Sequence, residues 1–177
     1  VGNDFVLPEI HSSIKKVGVF VNDTIETILN KVKKYDLNFV QLHGDEPAGF
    51  CSDLFQSFKF WKSYTGIIKA FGIDEQFNLS DLNQYENSCD YFLFDSKTKK
   101  YGGSGEAFDW TILEKYKSPK QFFLSGGIGV NEIKDQRSKI KNSGAFALDI
   151  NSKLETEQGL KDIHKLKILK DELSSKY

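Results

Sequence analysis

The amino-acid sequence predicts an α/β fold in which parallel strands alternate with helices. Three observations carry that expectation. Six short apolar runs recur along the chain at a period of about two dozen residues, each followed by a helical pattern or a polar stretch. The runs are rich in Val, Ile, Leu and Phe with little polar alternation, as strands buried on both faces are. Chemistry-bearing residues follow the runs, at the place where parallel α/β proteins keep their sites. Two closed solutions fit the alternation, a doubly wound sheet and a (β/α)8 barrel. No GxGxxG follows the first run, which weakens the dinucleotide-binding sheet. Six units, with one or two more ahead of Val1, fit the TIM barrel better.

Taken in order, residues 1–16 read as a loop with one helical turn, because Pro8 suits a first helical position. Residues 17–21 are β-branched and apolar and end on Asn22, a buried strand. Asp23 or Thr24 caps a helix with Ile25, Ile28, Leu29 and Val32 on one face. Residues 37–42 form the second strand, running into His43 and Gly44; Glu46 and Pro47 open a helix with Phe50, Leu54 and Phe55 on one side. Residues 67–71 form the third strand, followed by a polar stretch with a helix through Leu79 and Leu82. Residues 91–95 are the fourth strand. A helix beginning at Trp110, Ile112 and Leu113 stops near Pro119. Residues 121–124 are the fifth strand, and Asn131, Glu132 and Ile133 then lead into a helix containing Ile140. Residues 145–150 are the sixth. A closing helix over 159–173 carries Leu160, Ile163, Leu166 and Leu169 at helical spacing, with its lysines on a solvated face.

At 177 residues the chain is expected to form one domain over 1–177. It lacks methionine and opens on the polar Gly2, Asn3 and Asp4, so the domain is expected to be incomplete at its N-terminus. A net charge of −1 with no basic stripe argues against a nucleic-acid partner. No apolar run reaches spanning length, so no membrane is expected. Cys51 and Cys89 form no CxxC, which fits a reducing cytoplasm and inert thiols. No histidine or cysteine has zinc-ligand spacing, so no metal site is expected.

The central stretch runs from Phe92 through Asp95 to Phe108, Asp109 and Trp110. An apolar run ends on the Asp95 carboxylate, a basic loop follows, and Gly102, Gly103, Ser104 and Gly105 offer a mobile flap over a substrate. Asp109 can open a helix. The last two strands end in Gly126 and Gly127 and in Asp149, Asn151 and Ser152. Glycine lets backbone N–H groups approach an anion, and Asn and Ser add donors, so these four donors are expected to form a phosphate cup. His43 ends a strand at the same face and is a pocket-lining candidate, with Asn22 and Asp149, which also end strands there, ranking below it.

Five segments together resemble one family. They are Gly18 to Asn22; Val40, Gln41, Leu42, His43 and Gly44 with Glu46; Phe94 and Asp95 with the glycine cluster and Phe108, Asp109 and Trp110; Ser125, Gly126 and Gly127 with Asn131; and Asp149 to Glu155 followed by Gly159 to Asp162. In order and spacing they are similar to phosphoribosylanthranilate isomerase of tryptophan biosynthesis, across nearly the whole chain. The resemblance implies a (β/α)8 barrel whose third to eighth strands are those above. It implies an Amadori rearrangement of N-(5-phosphoribosyl)anthranilate to 1-(2-carboxyphenylamino)-1-deoxyribulose 5-phosphate, without metal or cofactor, in a cytoplasmic monomer or homodimer. It implies Asp95 as general acid, with His43, Gly102, Gly103, Gly126, Gly127, Asp149, Asn151 and Ser152 binding the phosphosugar. Two departures stand out. The family's Lys-x-Cys-Gly motif, whose cysteine is the general base, and the arginine that follows its second strand have no match in these 177 residues. Lys153 stands where the family has glycine. Another phosphosugar barrel of related aminoketose chemistry and a non-catalytic phosphosugar-binding remnant are the alternative readings.

Overall fold

The computed structural model describes residues 5–61, 64–97 and 108–174. Six parallel strands follow chain order in one sheet, β1 (Val17–Phe20), β2 (Phe39–Leu42), β3 (Gly66–Ile73), β4 (Tyr91–Ser96), β5 (Phe122–Leu124) and β6 (Ala147–Leu148). The chain divides into two compact units, one of residues 1–69 and 87–90, the other of residues 70–86 and 91–177. The boundary falls within β3, between Lys69 and Ala70.

In the first unit β1 pairs with β2 and β2 with β3, with Phe20 opposite Leu42 and Leu42 opposite Lys69. Between them run α1 (Ile25–Tyr35) and α2 (Ala48–Phe60). Of the two candidate caps, Thr24 closes α1: its hydroxyl accepts the Thr27 N–H at 3.2 Å. Helix α1 ends on Asp36 in the left-handed region, and that carboxylate pairs with Lys16 at 2.8 Å. The core is mostly aliphatic: Ile28, Val32, Val40, Leu42, Leu54 and Ile67 are buried. Asp90 pins residues 87–90 to β3, since its carboxylate accepts the Ile67 N–H at 2.7 Å and its N–H donates to the Ile67 carbonyl at 2.8 Å.

In the second unit β4 pairs with β5 and β5 with β6. Its core is aromatic. Phe71 meets Phe92 edge-on at 5.3 Å and Tyr85 at 5.1 Å, and Phe94 packs on Phe122 at 4.9 Å and on Tyr116 at 5.4 Å. Such edge-on and tilted ring pairs add to the apolar burial. Short 3-10 helices over Leu79–Tyr85 and Trp110–Lys115 replace the α-helices expected there. After β5 come α3 (Val130–Asp135) and α4 (Arg137–Asn142), separate helices where one was expected.

Three further expectations are corrected. No helical turn forms at Pro8; instead Phe5 lies by Tyr35, whose hydroxyl donates to the Phe5 carbonyl at 3.2 Å. Strand β1 is not buried on both faces: Val17, Val19 and Val21 are exposed, because β1 stands first in the sheet with one strand neighbour among the described residues. The closing helix, α5 (Ile163–Ser174), starts later than residue 159. Residues 155–161 instead turn back as an antiparallel pair, β7 (Glu155–Glu157) and β8 (Leu160–Lys161). The Asp162 carboxylate then caps α5 by accepting the His164 and Lys165 N–H groups. Leu160 and Ile163 are therefore exposed, and Leu169 supplies the buried contact.

Candidate active site

In the first unit the ends of β1 and β2 are held by charge taken out of water. Glu46 and Lys69 form an ion pair of 3.0 Å with their side chains only 2% and 3% exposed. Glu46 Oε1 accepts the Asn22 N–H at 2.8 Å, and both its oxygens accept the Gly44 N–H. Lys69 donates to the Gly44 carbonyl at 2.7 Å and to the Leu42 carbonyl at 3.4 Å. Asn22, itself at φ +54°, accepts the Asp45 N–H on its side-chain oxygen at 2.8 Å. That oxygen would lie 2.4 Å from a Cβ added at Gly44, so only glycine permits the approach. Between these anchors sits half-buried His43, its N–H donating to the Phe20 carbonyl at 2.8 Å. The Gln41 amide nitrogen lies 2.8 Å from His43 Nδ1. An amide NH₂ can only donate, so Nδ1 accepts and the ring proton sits on Nε2.

Cys51 and Cys89 are both free and buried in this unit. Its neighbour Cys89 holds the Cys51 thiol low, and Cys51 together with burial pushes Cys89 well above the usual thiol range. Neither lies at the C-terminal end of a strand.

In the second unit Asp95 is the penultimate residue of β4 and is half-buried. Its carboxylate accepts the Ser96 N–H at 2.8 Å. The turn after β5 packs against it. Gly126, at φ +87°, would bring an added Cβ to 2.4 Å from Ser96 Oγ and 3.1 Å from Asp95 Oδ1. Gly127 follows at φ +64°. Among the described residues the N–H groups of Gly126, Gly127 and Ile128 meet no hydrogen-bond acceptor. Ser125, buried, donates through its hydroxyl to Asp149 at 3.1 Å, and the Asp149 N–H donates to the Leu124 carbonyl at 2.8 Å. The structure thus brings Asp95 to Gly126 and Asp149 to Ser125.

Asn151 and Ser152 lie exposed where the 3-10 turn Ser152–Leu154 begins. Lys161 donates to the Asn151 carbonyl at 3.1 Å and to its side-chain oxygen, and pairs with Glu155 at 2.5 Å. Lys165 donates to the Lys153 and Glu155 carbonyls, each at 3.3 Å. These two lysines do not belong to a merely solvated face, because the β7–β8 hairpin folds them onto the 151–155 backbone. Lys153 pairs with Glu132 at 3.4 Å. A cavity of about 550 Å³ lies past the ends of β3 and β4, lined by Ile73, Ser96, Lys97, Phe108, Asp109 and Ile112 among others. Asp109 caps the helix beside it, accepting the Thr111 N–H at 3.1 Å. Gly102, Gly103, Ser104 and Gly105, the expected flap, lie outside the described residues.

Sequence reasoning gave no role to Gln41, Lys69 or Lys161. For Gln41 a signal existed, since residues two apart on a strand share a face and Gln41 precedes His43 by two. No group of three or more His, Cys, Asp or Glu side chains among the described residues is arranged to hold a metal. Among the same residues no helix is long and apolar enough to cross a membrane.

Comparisons with known proteins agree on one family. The model of N-(5'phosphoribosyl)anthranilate (PRA) isomerase matches residues 5–171. The N-(5'-phosphoribosyl)anthranilate isomerase of Parabacteroides distasonis is 44% identical over 155 residues, which is 88% of this chain and 67% of that protein. The crystal structure of phosphoribosyl anthranilate isomerase from Thermotoga maritima superposes with a TM-score of 0.72 at 32% identity, covering 94% of this chain and 76% of that one. A phosphoribosyl anthranilate isomerase in complex with reduced 1-(o-carboxyphenylamino)-1-deoxyribulose 5-phosphate superposes with a TM-score of 0.66 at 27% identity, covering 94% and 75%. The parallel sheet is thus of the (β/α)8 barrel type, and with its fold, strand-end residues and matched length this chain belongs to the N-(5'-phosphoribosyl)anthranilate isomerase family.

Proposed function

We propose that the chain isomerises N-(5-phosphoribosyl)anthranilate to the aminoketose phosphate in tryptophan biosynthesis, with Asp95 as general acid. Family membership supports the reaction, and the observation that carries the site is Asp95 at the end of β4 with the Gly126 turn packed on its carboxylate. The acid protonates the furanose ring oxygen, the C1′–O bond opens, and a Schiff base forms. A base then takes the C2′ proton, and the resulting enolamine tautomerises to the ketone. In the family that base is the cysteine of the Lys-x-Cys-Gly motif. Cys51 and Cys89, buried and away from the C-terminal ends of the strands, do not substitute for it.

The phosphate is held by the Gly126 and Gly127 backbone and by Asn151 and Ser152. Two successive left-handed glycines and their N–H groups support this, as backbone concavities of that kind bind anions. With its oxygen engaged by Lys161, the Asn151 amide has its NH₂ left to donate. Asp149 orients Ser125 beneath the same turn. At the end of β2, His43 is a substrate-binding residue. Residues 1–177 act as one phosphosugar-binding barrel domain, in the cytoplasm, where free thiols such as Cys51 and Cys89 persist. The protein works as a monomer or homodimer without nucleic acid, metal or cofactor.

Asp95→Asn tests the reading. In the intact protein it lowers kcat about 10²-fold or more while KM changes little. Turnover near that of the parent removes Asp95 from its role.

A further inference from the structure

We propose that Glu46 and Lys69 are positioning residues that fix the backbone on both sides of His43 and so set the direction of its imidazole. The proposal rests on the isomerase reading for its catalytic consequence. Lys69 donates to the carbonyls of residues 42 and 44, the two neighbours of His43, and pairs with Glu46. Glu46 accepts the N–H groups of Gly44 and Asn22. The polar valences of both groups are thereby used within a few ångströms of His43. Two charges buried to this degree do not generally stabilise a fold more than well-packed apolar residues would. What such a pair supplies here is directionality: a unique register for the 42–46 segment. Gln41 completes the arrangement, setting the ring with Nδ1 as acceptor and Nε2–H as donor. A histidine whose backbone slips by about 1 Å loses on the order of 10²-fold in a reaction that depends on its aim.

The test uses the intact protein with Glu46→Leu/Lys69→Met, which replaces the pair by apolar side chains, and with the conservative Glu46→Gln, which retains the shape should the double variant not fold. Folding is read by a cooperative urea transition. The expected result is a folded protein in which kcat falls about 10²-fold for the double variant and about tenfold for Glu46→Gln, with KM little changed. Alongside, amide exchange at Gly44 and Asp45 speeds up about tenfold or more while that in α5 stays as it was, and the His43 ring nitrogen resonances move. Parental exchange at Gly44 and Asp45 with parental His43 resonances in the folded variants overturns the clamp. Altered exchange with parental kcat overturns its positioning role. If the unaltered protein does not turn over phosphoribosylanthranilate, the isomerase reading has failed, and exchange and ring resonances still decide the clamp.

Discussion

The strand ends of the first unit and those of the second are built from opposite materials. In the first, a buried Glu46–Lys69 pair gathers the backbone of Asn22, Leu42 and Gly44 around two charges held away from water. In the second, the turns after β5 and β6 are shaped by two left-handed glycines and by lysines partly in water, Lys153, Lys161 and Lys165. The difference teaches what each is suited for. A clamp with its donors and acceptors consumed internally can only aim a side chain. A turn that keeps backbone N–H groups for a guest can take up an anion. The strands differ in the same sense, since β5 and β6 span three and two residues against four each in β1 and β2.

The largest effect that sharpens this contrast comes from breaking one charge in each region. Lys69→Met leaves Glu46 buried without its cation and costs about 3–5 kcal/mol in urea unfolding. Lys153→Met, at an exposed pair, costs less than about 1 kcal/mol. Equal losses would mean that the two regions are held alike. Next comes the glycine turn. Gly126→Ala forces a side chain into the left-handed region against Ser96, and a loss of about 1–3 kcal/mol is expected, together with a higher KM. Gly127→Val acts in the same direction on KM; unchanged KM in both would take the phosphate away from this turn.

A smaller effect is expected at Asp109. Its carboxyl is held below the usual range by the Thr111 N–H and hydroxyl. A pKa lowered on folding contributes stability above the unfolded value of about 3.8, and that contribution disappears as pH falls through the folded value. Asp109→Ala therefore costs about 1 kcal/mol at neutral pH, and the gap from the parent closes in acid below about pH 3.8. A gap that persists at low pH assigns the loss to packing. The smallest effect concerns Lys153→Gly, which leaves the fold unchanged within about 0.5 kcal/mol. Paired with Glu132, the Lys153 ammonium adds little to anion affinity, so inorganic phosphate titrations at two salt concentrations should coincide with those of the parent. A weaker, less salt-sensitive affinity in the variant would put that charge in the cup.

Much of this was legible along the chain, for local reasons. Apolar runs at β spacing located the six strands, because burial on both faces of a parallel sheet demands them. Asp95, His43, Gly126 and Asp149 stood out because a polar residue directly after such a run falls at a strand's end. Thr24 or Asp23, and Asp109, could be read as caps from their side-chain chemistry alone. Where the reading failed, the cause lay at a distance in sequence. Lysines 161 and 165 look like a solvated helical face until the β7–β8 hairpin turns them onto residues 151–155. Valines 17, 19 and 21 look buried until strand order leaves β1 with one strand neighbour among the described residues. Lys69 looks like a misplaced charge in a strand until the register sets it opposite Leu42 and within reach of Glu46, 23 positions away. Propensity, capping and apolar period act over a few residues, so the sequence by itself determined the elements and the polar residues at their ends. Pairing register and the meeting of charges 23 residues apart depend on the energy of the assembled sheet, so only the tertiary structure decided that Lys69 and Glu46 close around His43.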